Sequence, residues 1–285
     1  MQARTLTMTD LVRYTVVIAL LILFLFPIYW MIATSFKDPA DILTRPPKWV
    51  FKPTLDNYIY AFEERNFGLY IKNTLIVSLT STALVIVLGS LASYSFARYN
   101  PGAGNLMFFI LTTRMMPAIA VILPYFLIFR DIGETAIGQA FWLGLDKPGA
   151  LVVSYTMFNL PFAIWLMHSF FQDIPVELED SARLDGYSRL RVFWRVVLPL
   201  AAPGIAVTAI FCLIFSWNEF LFAFLLTRNT AATITVGVNS FWTLRGILWG
   251  PLSAAAVVCV VPMMIFALLL QRYIVRGLTF GAVRG

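Results

Sequence analysis

The sequence is short of charge. Asp, Glu, Lys and Arg make up 13% of its 285 residues, about half of the ~25% that soluble domains carry, whereas 60% of the residues are hydrophobic. The mean hydropathy is correspondingly high, at +0.80. So few charges cannot cover the surface of a water-soluble globule of this length. The composition therefore predicts an all-α, polytopic membrane protein that forms a single transmembrane domain over residues 1–285, and it excludes disordered, collagen-like and disulfide-scaffold chains.

The sequence also has few of the side chains that usually carry out catalysis. It contains one histidine, His168, and two cysteines, Cys212 and Cys259, which lie in apolar runs and are expected to pack as small core residues. No Gly-Lys dipeptide occurs, so the chain has no P-loop with which to hydrolyse ATP. No Asp-rich pair, His pair or Ser/His/Asp set occurs in an arrangement suited to an enzyme embedded in a membrane. We therefore predict no enzyme activity, no metal site and no cofactor in this chain.

Six apolar stretches are long enough to cross a bilayer as helices, which takes about 20 residues at a rise of 1.5 Å each. The predicted spans are residues 12–33, 71–97, 106–129, 150–171, 200–226 and 252–274. Lys and Arg divide almost evenly between the two sides that six spans create, so the positive-inside rule does not decide the orientation.

Three of the polar connections between the spans stand out. Residues 37–70 are rich in proline, charge and aromatic side chains, which predicts a folded loop, and residues 227–250 form another long connection. Residues 173–198 are the most charged segment of the chain. Acidic residues follow Pro175 closely there, where the helix dipole favours anions, and Gly186 is placed to end the helix. By its periodicity alone this segment is an amphipathic surface helix parallel to the membrane.

The spacing within this charged segment adds a second interpretation. The segment resembles the EAA motif of permeases from bacterial binding-protein-dependent ABC importers, E-A-A-x-x-x-G-x9-I-x-L-P. The matching residues are Asp180, Ser181, Ala182, Gly186, Val196, Leu198 and Pro199. Other parts of the chain resemble the carbohydrate-type subgroup of that family, of the maltose-importer second-permease kind: Pro27-Ile28-Tyr29-Trp30, Ser35-Phe36-Lys37, Trp217-Asn218-Glu219-Phe220-Leu221 and the glycine-rich residues 277–285.

The resemblance implies a function and a set of partners. It implies a subunit that moves a sugar or sugar-like solute into the cytoplasm by alternating access, beside a second homologous permease, two copies of an ATPase that holds ATP and Mg, and an extracytoplasmic solute-binding protein. The chain would be a multi-pass protein of the bacterial plasma (inner) membrane, with both termini cytoplasmic and no nucleic-acid partner. The coupling contacts to the ATPase would come from Glu177, Glu179, Asp180, Ser181, Ala182, Leu184, Asp185 and Gly186.

Two charges lie well inside predicted spans, Arg114 in the third and Glu219 in the fifth. A charge facing lipid at a helix centre costs about 2.5–3.5 kcal/mol, so both should face the bundle interior or an aqueous cavity. We expect Arg114, Asn218 and Glu219 to line the translocation pathway; interhelical hydrogen bonding is an equally good explanation. The predicted heights of Arg114 and Glu219 differ by about 14 Å, which argues against direct pairing. Pro117 and Pro124 predict either a cavity-lining break or a packing kink in the third span.

Two other classes of protein remain possible from the residues. A self-contained secondary transporter or channel would need no docking loop and would more often show internal repeats, which are not evident here. A membrane enzyme is disfavoured by the missing catalytic sets. The glycine spacing at Gly277, Gly281 and Gly285 fits a flexible tail better than a helix-packing motif.

Overall fold

The computed structural model describes residues 8–280, with side chains to residue 268, and it is almost entirely helical. Its helices are α1 (Met8–Ser35), α2 (Pro39–Ile42), α3 (Asp56–Ile59), α4 (Phe67–Tyr99), α5 (Asn105–Met115), α6 (Ala118–Gly133), α7 (Ala136–Ala140), α8 (Pro148–Gln172), α9 (Val176–Leu184), α10 (Arg189–Val192), α11 (Leu198–Trp217), α12 (Leu221–Leu226), α13 (Ile234–Asn239) and α14 (Trp249–Phe280). One antiparallel hairpin joins β1 (Trp242–Thr243) to β2 (Gly246–Ile247).

Five helices of the described chain are long and apolar enough to cross a membrane, and a sixth crossing is possible if the bent pair α5 and α6 forms one span. The predicted third span is therefore not one helix: its two halves meet at 89°. Pro117 supplies no N–H, and the residue before it, Met116, takes extended backbone angles (φ −66°, ψ 127°), which end a helix.

Two other predicted spans have different ends from those expected. The fifth was predicted to run to residue 226, but α11 ends at Trp217 and α12 is a separate short helix. The sixth was predicted to end at residue 274, whereas α14 continues to Phe280 and includes Gly277. Gly281 and Gly285 of the predicted flexible tail lie outside the described residues.

The chain divides into two compact units, one formed by the described residues up to Phe67 with Val238–Pro262, and the other by Gly68–Gly237 with the residues from Met263 on. In the first unit the loop after α1 is folded, as predicted. The Asn57 amide nitrogen donates to the carbonyl oxygens of Ser35 and Lys37 at 3.0 and 2.7 Å. The buried Lys37 ammonium lies 4.4 Å from the centre of the Trp30 ring. These contacts fix the chain where it leaves α1.

The second unit is built around α8, which packs against α5 and α11. One apolar cluster surrounds the first half of α8 and includes Leu151, Tyr155 and Phe222. Another surrounds its second half and includes Met167 and Phe171, together with residues from the charged segment 173–198. This second cluster anchors the candidate coupling loop on the membrane helices.

Candidate coupling site and membrane charges

The charged segment folds into a short helix with a defined end. Helix α9 follows Pro175 directly and has acidic residues in its first turn. At its other end Gly186 has φ +87°, the amide of Gly186 donates to Arg183 O at 3.0 Å, and the amide of Tyr187 donates to Ala182 O at 3.1 Å. This pair of bonds is a Schellman motif, so the prediction that Gly186 ends the helix is confirmed.

One face of α9 is buried against its own chain. Ala182 is only 8% exposed and belongs to the apolar cluster that contains Phe171, Val192 and Phe193. The family resemblance placed Ala182 among the coupling contacts, and a small side chain there would let the helix enter a cleft on a partner. The structure supplies a different reason for the small side chain, since Ala182 fills space between α9 and the membrane helices.

The other buried residue of α9 is Glu179, which is 6% exposed. Arg98 Nε donates to Glu179 Oε1 at 2.5 Å, and the Tyr94 hydroxyl donates to Glu179 Oε2 at 2.6 Å. Arg98 also donates through Nη2 to Ile174 O at 2.9 Å. We call Glu179, Arg98 and Tyr94 the Glu179 cluster. Removing one partner from a buried ion pair costs about 3–5 kcal/mol, because the other charge is left without compensation.

Sequence reasoning missed both partners of Glu179. Arg98 and Tyr94 lie four residues apart near the end of α4, on one face of the helix. A basic residue in the last turn of a helix is common, because it interacts favourably with the helix dipole, so Arg98 did not stand out in the sequence. The spacing of 81 residues between Arg98 and Glu179 follows no local rule, so only the tertiary structure pairs them.

The remaining coupling candidates are exposed on the opposite face of α9 and at its end. Ser181 Oγ donates to Glu177 O at 2.8 Å, and Arg183 lies 3.5 Å from Asp180, both at the surface. Leu184 is 90% exposed. The exposed members of the predicted set are Glu177, Asp180, Ser181, Leu184, Asp185 and Gly186.

The second half of the motif leads straight into a membrane span. Helix α10 is followed by a π turn, Phe193–Val197, and then by α11, which has Pro199 in its first turn. Val197 and Leu198 both have right-handed helical angles, so the helix runs through the π turn into α11, and Pro199, which has no N–H, lies at this junction. Movement of the loop is thereby connected through the main chain to α11.

Arg114 lies in the last turn of α5, just before the break at Pro117. Its Nη1 donates to Phe158 O at 2.6 Å, and its guanidinium carbon lies 4.6, 4.9 and 5.4 Å from the ring centres of Phe158, Phe215 and Phe162. Arginine over aromatic faces is stabilised by the ring quadrupoles, and more strongly where water is scarce. The charge is thus held against α8 and α11 instead of facing lipid.

Glu219 lies in the break between α11 and α12 rather than inside a continuous span. Its two carboxylate oxygens accept from the amides of Phe222 and Ala223 at 3.0 and 3.2 Å, which satisfies the free N–H groups that begin α12. The neighbouring Asn218 is exposed and donates from its amide to Ile214 O at 2.9 Å. Among the ion pairs of the described residues there is none between Arg114 and Glu219.

Asp146 organises a loop at the opposite end of the second unit, just before α8. Its carboxylate accepts from four consecutive main-chain amides, those of residues 228–231, at 2.9–3.3 Å. Partial burial opposes the charged form, but hydrogen bonds from Arg228, Ala231 and Thr230 outweigh it and lower the pKa of Asp146 to about 2. Sequence analysis did not single out Asp146, and nothing in its local sequence signals this role.

No group of three or more His, Cys, Asp or Glu side chains that might hold a metal ion occurs in the described part of the chain. The single His168 lies in α8, and the cysteines Cys212 and Cys259 are unpaired, the former buried and the latter partly so.

Comparison with known proteins identifies the family. The model of the family described as "binding-protein-dependent transport system inner membrane component" matches residues 85–280, which include the whole charged loop. The chain belongs to this family. It is therefore a multi-pass inner membrane permease of a binding-protein-dependent transport system, and the predictions of fold class and permease function are confirmed against a self-contained transporter.

Similar curated proteins cover nearly the whole chain. A probable ABC transporter permease protein, y4oR of Sinorhizobium fredii, is 37% identical over 92% of this chain and 91% of the relative. The sulfoquinovosyl glycerol permease protein SmoH of Agrobacterium fabrum is 34% identical over 96% and 93%. The trehalose/maltose permease protein MalG of Thermococcus litoralis is 34% identical over 94% of each chain.

A solved structure has the same fold at low identity. A chain of a bacterial ABC transporter involved in the import of the acidic polysaccharide alginate superposes with a TM-score of 0.75 at 21% identity, covering 95% of this chain and 99% of that one. The two chains therefore share their overall fold.

Proposed function

We propose that this permease imports a sugar or sugar-like solute, and that ATP hydrolysis on a partner ATPase drives the import through the loop 173–198. The observation that carries the proposal is the arrangement of α9: one face is fixed to the membrane helices by Glu179 and Ala182, and the other presents the exposed Leu184 with a cluster of acids. Such a helix offers a partner both a surface and a rigid connection to the spans.

The proposed assembly contains this chain, a second homologous permease, two copies of the ATPase and an extracytoplasmic solute-binding protein. The loop 173–198 lies on the cytoplasmic side, so both termini are cytoplasmic. ATP and Mg are bound by the ATPase, because this chain has no P-loop. The relatives named for sulfoquinovosyl glycerol and for trehalose and maltose support a sugar-like solute.

The exposed outer loops are proposed to contact the solute-binding protein. These are residues 37–70 and 227–250, the longest connections on that side. The second of them includes the hairpin of β1 and β2, where Trp242 and Leu244 are strongly exposed. If cysteine labels in both loops react equally with and without the binding protein while transport is active, this part of the proposal is wrong.

Arg114, Asn218 and Glu219 are proposed to lie at the wall of the translocation pathway. The support is the position of Arg114 within the bent pair α5 and α6, the adjacent helix break at Pro117 and the second break at residues 218–220. Arg114→Met and Glu219→Leu should reduce transport more than assembly, whereas Glu219→Gln, which keeps a carbonyl acceptor for α12, should do less harm. Normal transport by both apolar variants would assign these residues to helix capping and packing alone.

The whole proposal is tested by reconstitution into liposomes. The complete assembly should accumulate labelled sugar-like solute with ATP inside and the binding protein outside, and omission of the ATPase should abolish uptake. Solute movement by this chain alone, driven by an ion gradient without the ATPase, would contradict the proposal and favour a secondary transporter.

A further inference from the structure

Helix α4 has fixed polar contacts at both of its ends. At one end the Glu179 cluster joins α4 to α9, through bonds of 2.5 and 2.6 Å to the two carboxylate oxygens of Glu179. At the other end the Asn73 amide donates to the carbonyl oxygens of Thr230 and Ala232 at 2.8 and 2.9 Å, and Thr74 Oγ1 accepts from the amide of Ile234 at 2.9 Å. One helix therefore contacts the coupling loop and the outer loop directly.

The contact between α4 and α9 is largely shielded from solvent, which makes its separation costly. The Arg98 and Glu179 side chains are each only 8% exposed. Arg98 also bonds Ile174 O, in the turn that leads into α9, so α4 holds the coupling helix at two points five residues apart. Separating α9 from α4 would leave buried charges unpaired, and the two elements are thus expected to move together.

The helix between these contacts is continuous. It contains 33 residues and so is about 50 Å long, enough to cross the whole bilayer. No proline occurs within it, whereas proline lies inside five other long helices: α1, α6, α8, α11 and α14. The helix also continues without a break through Gly89 and Ser90, its one glycine–serine pair, so displacement of one end can reach the other.

We propose that α4 is the element that transmits movement between α9 and the outer loop 228–234, with Arg98 and Glu179 as positioning residues at one end and Asn73 and Thr74 at the other. Glu179 then acts within its own chain and not as a contact to the ATPase. The inference rests on the proposed function, because it requires that an ATPase moves α9. It provides a physical two-way connection, through which binding-protein contact outside alters hydrolysis inside and nucleotide alters the outer loop.

The test uses the complete assembly with Cys212 and Cys259 replaced by alanine and a single cysteine at the exposed Asn229. The rate of maleimide labelling at this position is measured with and without nucleotide, in the parent, Arg98→Met, Arg98→Lys and Glu179→Gln. Arg130→Met is the matched control, because its ion pair with Asp131 is exposed and lies on α6.

The nucleotide-dependent change in labelling should fall about fivefold or more in Arg98→Met, the lower end of ordinary allosteric coupling. Arg98→Lys, which keeps the charge, should retain more of the response, and Arg130→Met all of it. A co-purified Arg98→Met assembly with the parent's full response would overturn the inference. A merely structural role would weaken assembly and the nucleotide response equally, and it would give no recovery with lysine.

If Arg98→Met does not assemble, the far end of α4 decides the matter. Asn73→Ala leaves the coupling loop untouched, yet it should lower the ratio of binding-protein-stimulated to basal ATP hydrolysis. An unchanged ratio in Asn73→Ala would overturn the inference. Two results in the parent assembly would instead overturn the proposed function itself. One is a labelling rate that does not change with nucleotide, and the other is failure of the ATPase to co-purify.

Discussion

Two carboxylates at opposite ends of the second unit are held in different ways. Glu179 is bound by the side chains of Arg98 and Tyr94 on one helix, whereas Asp146 is bound by the main-chain amides of residues 228–231 in a loop. The first arrangement joins two helices, and its ion-paired side chains are each only 8% exposed. The second fixes the shape of one loop and is partly open to solvent.

The difference indicates what each end of the permease must do. A buried ion pair between two helices favours their moving together, because separating the helices would leave each charge without its partner. The carboxylate of Asp146 joins residues 228–231 to the segment that precedes α8, 82–85 residues earlier in the chain, and so fixes the shape of that loop. The end of the second unit that carries Glu179 is thus suited to transmitting displacement, and the end that carries Asp146 to presenting a surface of defined shape.

The largest effect on stability should come from breaking the buried pair. Glu179→Ala leaves the Arg98 guanidinium buried without its carboxylate and should lower the free energy of unfolding by about 3–5 kcal/mol. Asp180→Ala is the matched control, because Asp180 is the adjacent acid and is exposed, and its effect should stay within about 0.5 kcal/mol. Thermal unfolding in detergent measures both, and equal losses would remove the distinction between the two faces of α9.

A second large effect is expected where α9 meets the membrane helices. Ala182→Trp places a large ring in the cluster with Phe171 and Phe193, and overpacking of this kind costs about 1–3 kcal/mol. The loop should be displaced and the ATPase lost on purification. Ala182→Gly adds no atoms to this cluster, so the loop should keep its position and the assembly should retain the ATPase. Retention by the tryptophan variant would show that the buried face is not needed to hold the loop.

A smaller effect is expected at the end of α9. Gly186 has φ +87°, and a β-branched side chain is strained there, so Gly186→Val should cost about 1–2 kcal/mol and misdirect the chain towards α10. Asparagine tolerates this conformation better, so Gly186→Asn should lie between glycine and valine. The measurement is binding-protein-stimulated ATP hydrolysis of the purified assembly. Identical rates for valine and asparagine would contradict the explanation by backbone strain.

The smallest effect concerns Asp146 and is local. Its pKa in the folded chain is about 2, below the ordinary value of 3.8, so its contribution to stability is complete above about pH 4 and is lost as the pH falls towards 2. The protection factors of amides 228–231, which are corrected for the intrinsic exchange rate at each pH, should fall in that window in the parent. In Asp146→Asn the protection factors should already be lower at neutral pH and should not fall further in that window, and parent-like protection in that variant would disprove the role of the charge.

The sequence predicted the membrane helices because long apolar runs need no tertiary information, and it predicted the end of α9 because Gly186 is a local signal. It could not predict the partner of Glu179 or the inward direction of Ala182, since both depend on where α4 and α8 come to lie. Glu219 was placed inside a span, because hydropathy does not register the helix break that its carboxylate caps.

The central claim is that the exposed end of α9 docks on an ATPase, and a photo-cross-linking residue at Leu184 tests it most directly, because that side chain is 90% exposed. In membranes containing the complete assembly, illumination should join this chain to the ATPase subunit, and the same probe at Leu244 in the outer hairpin should not. Cross-linking of position 184 to lipid or to the solute-binding protein, with none to the ATPase, would contradict the account.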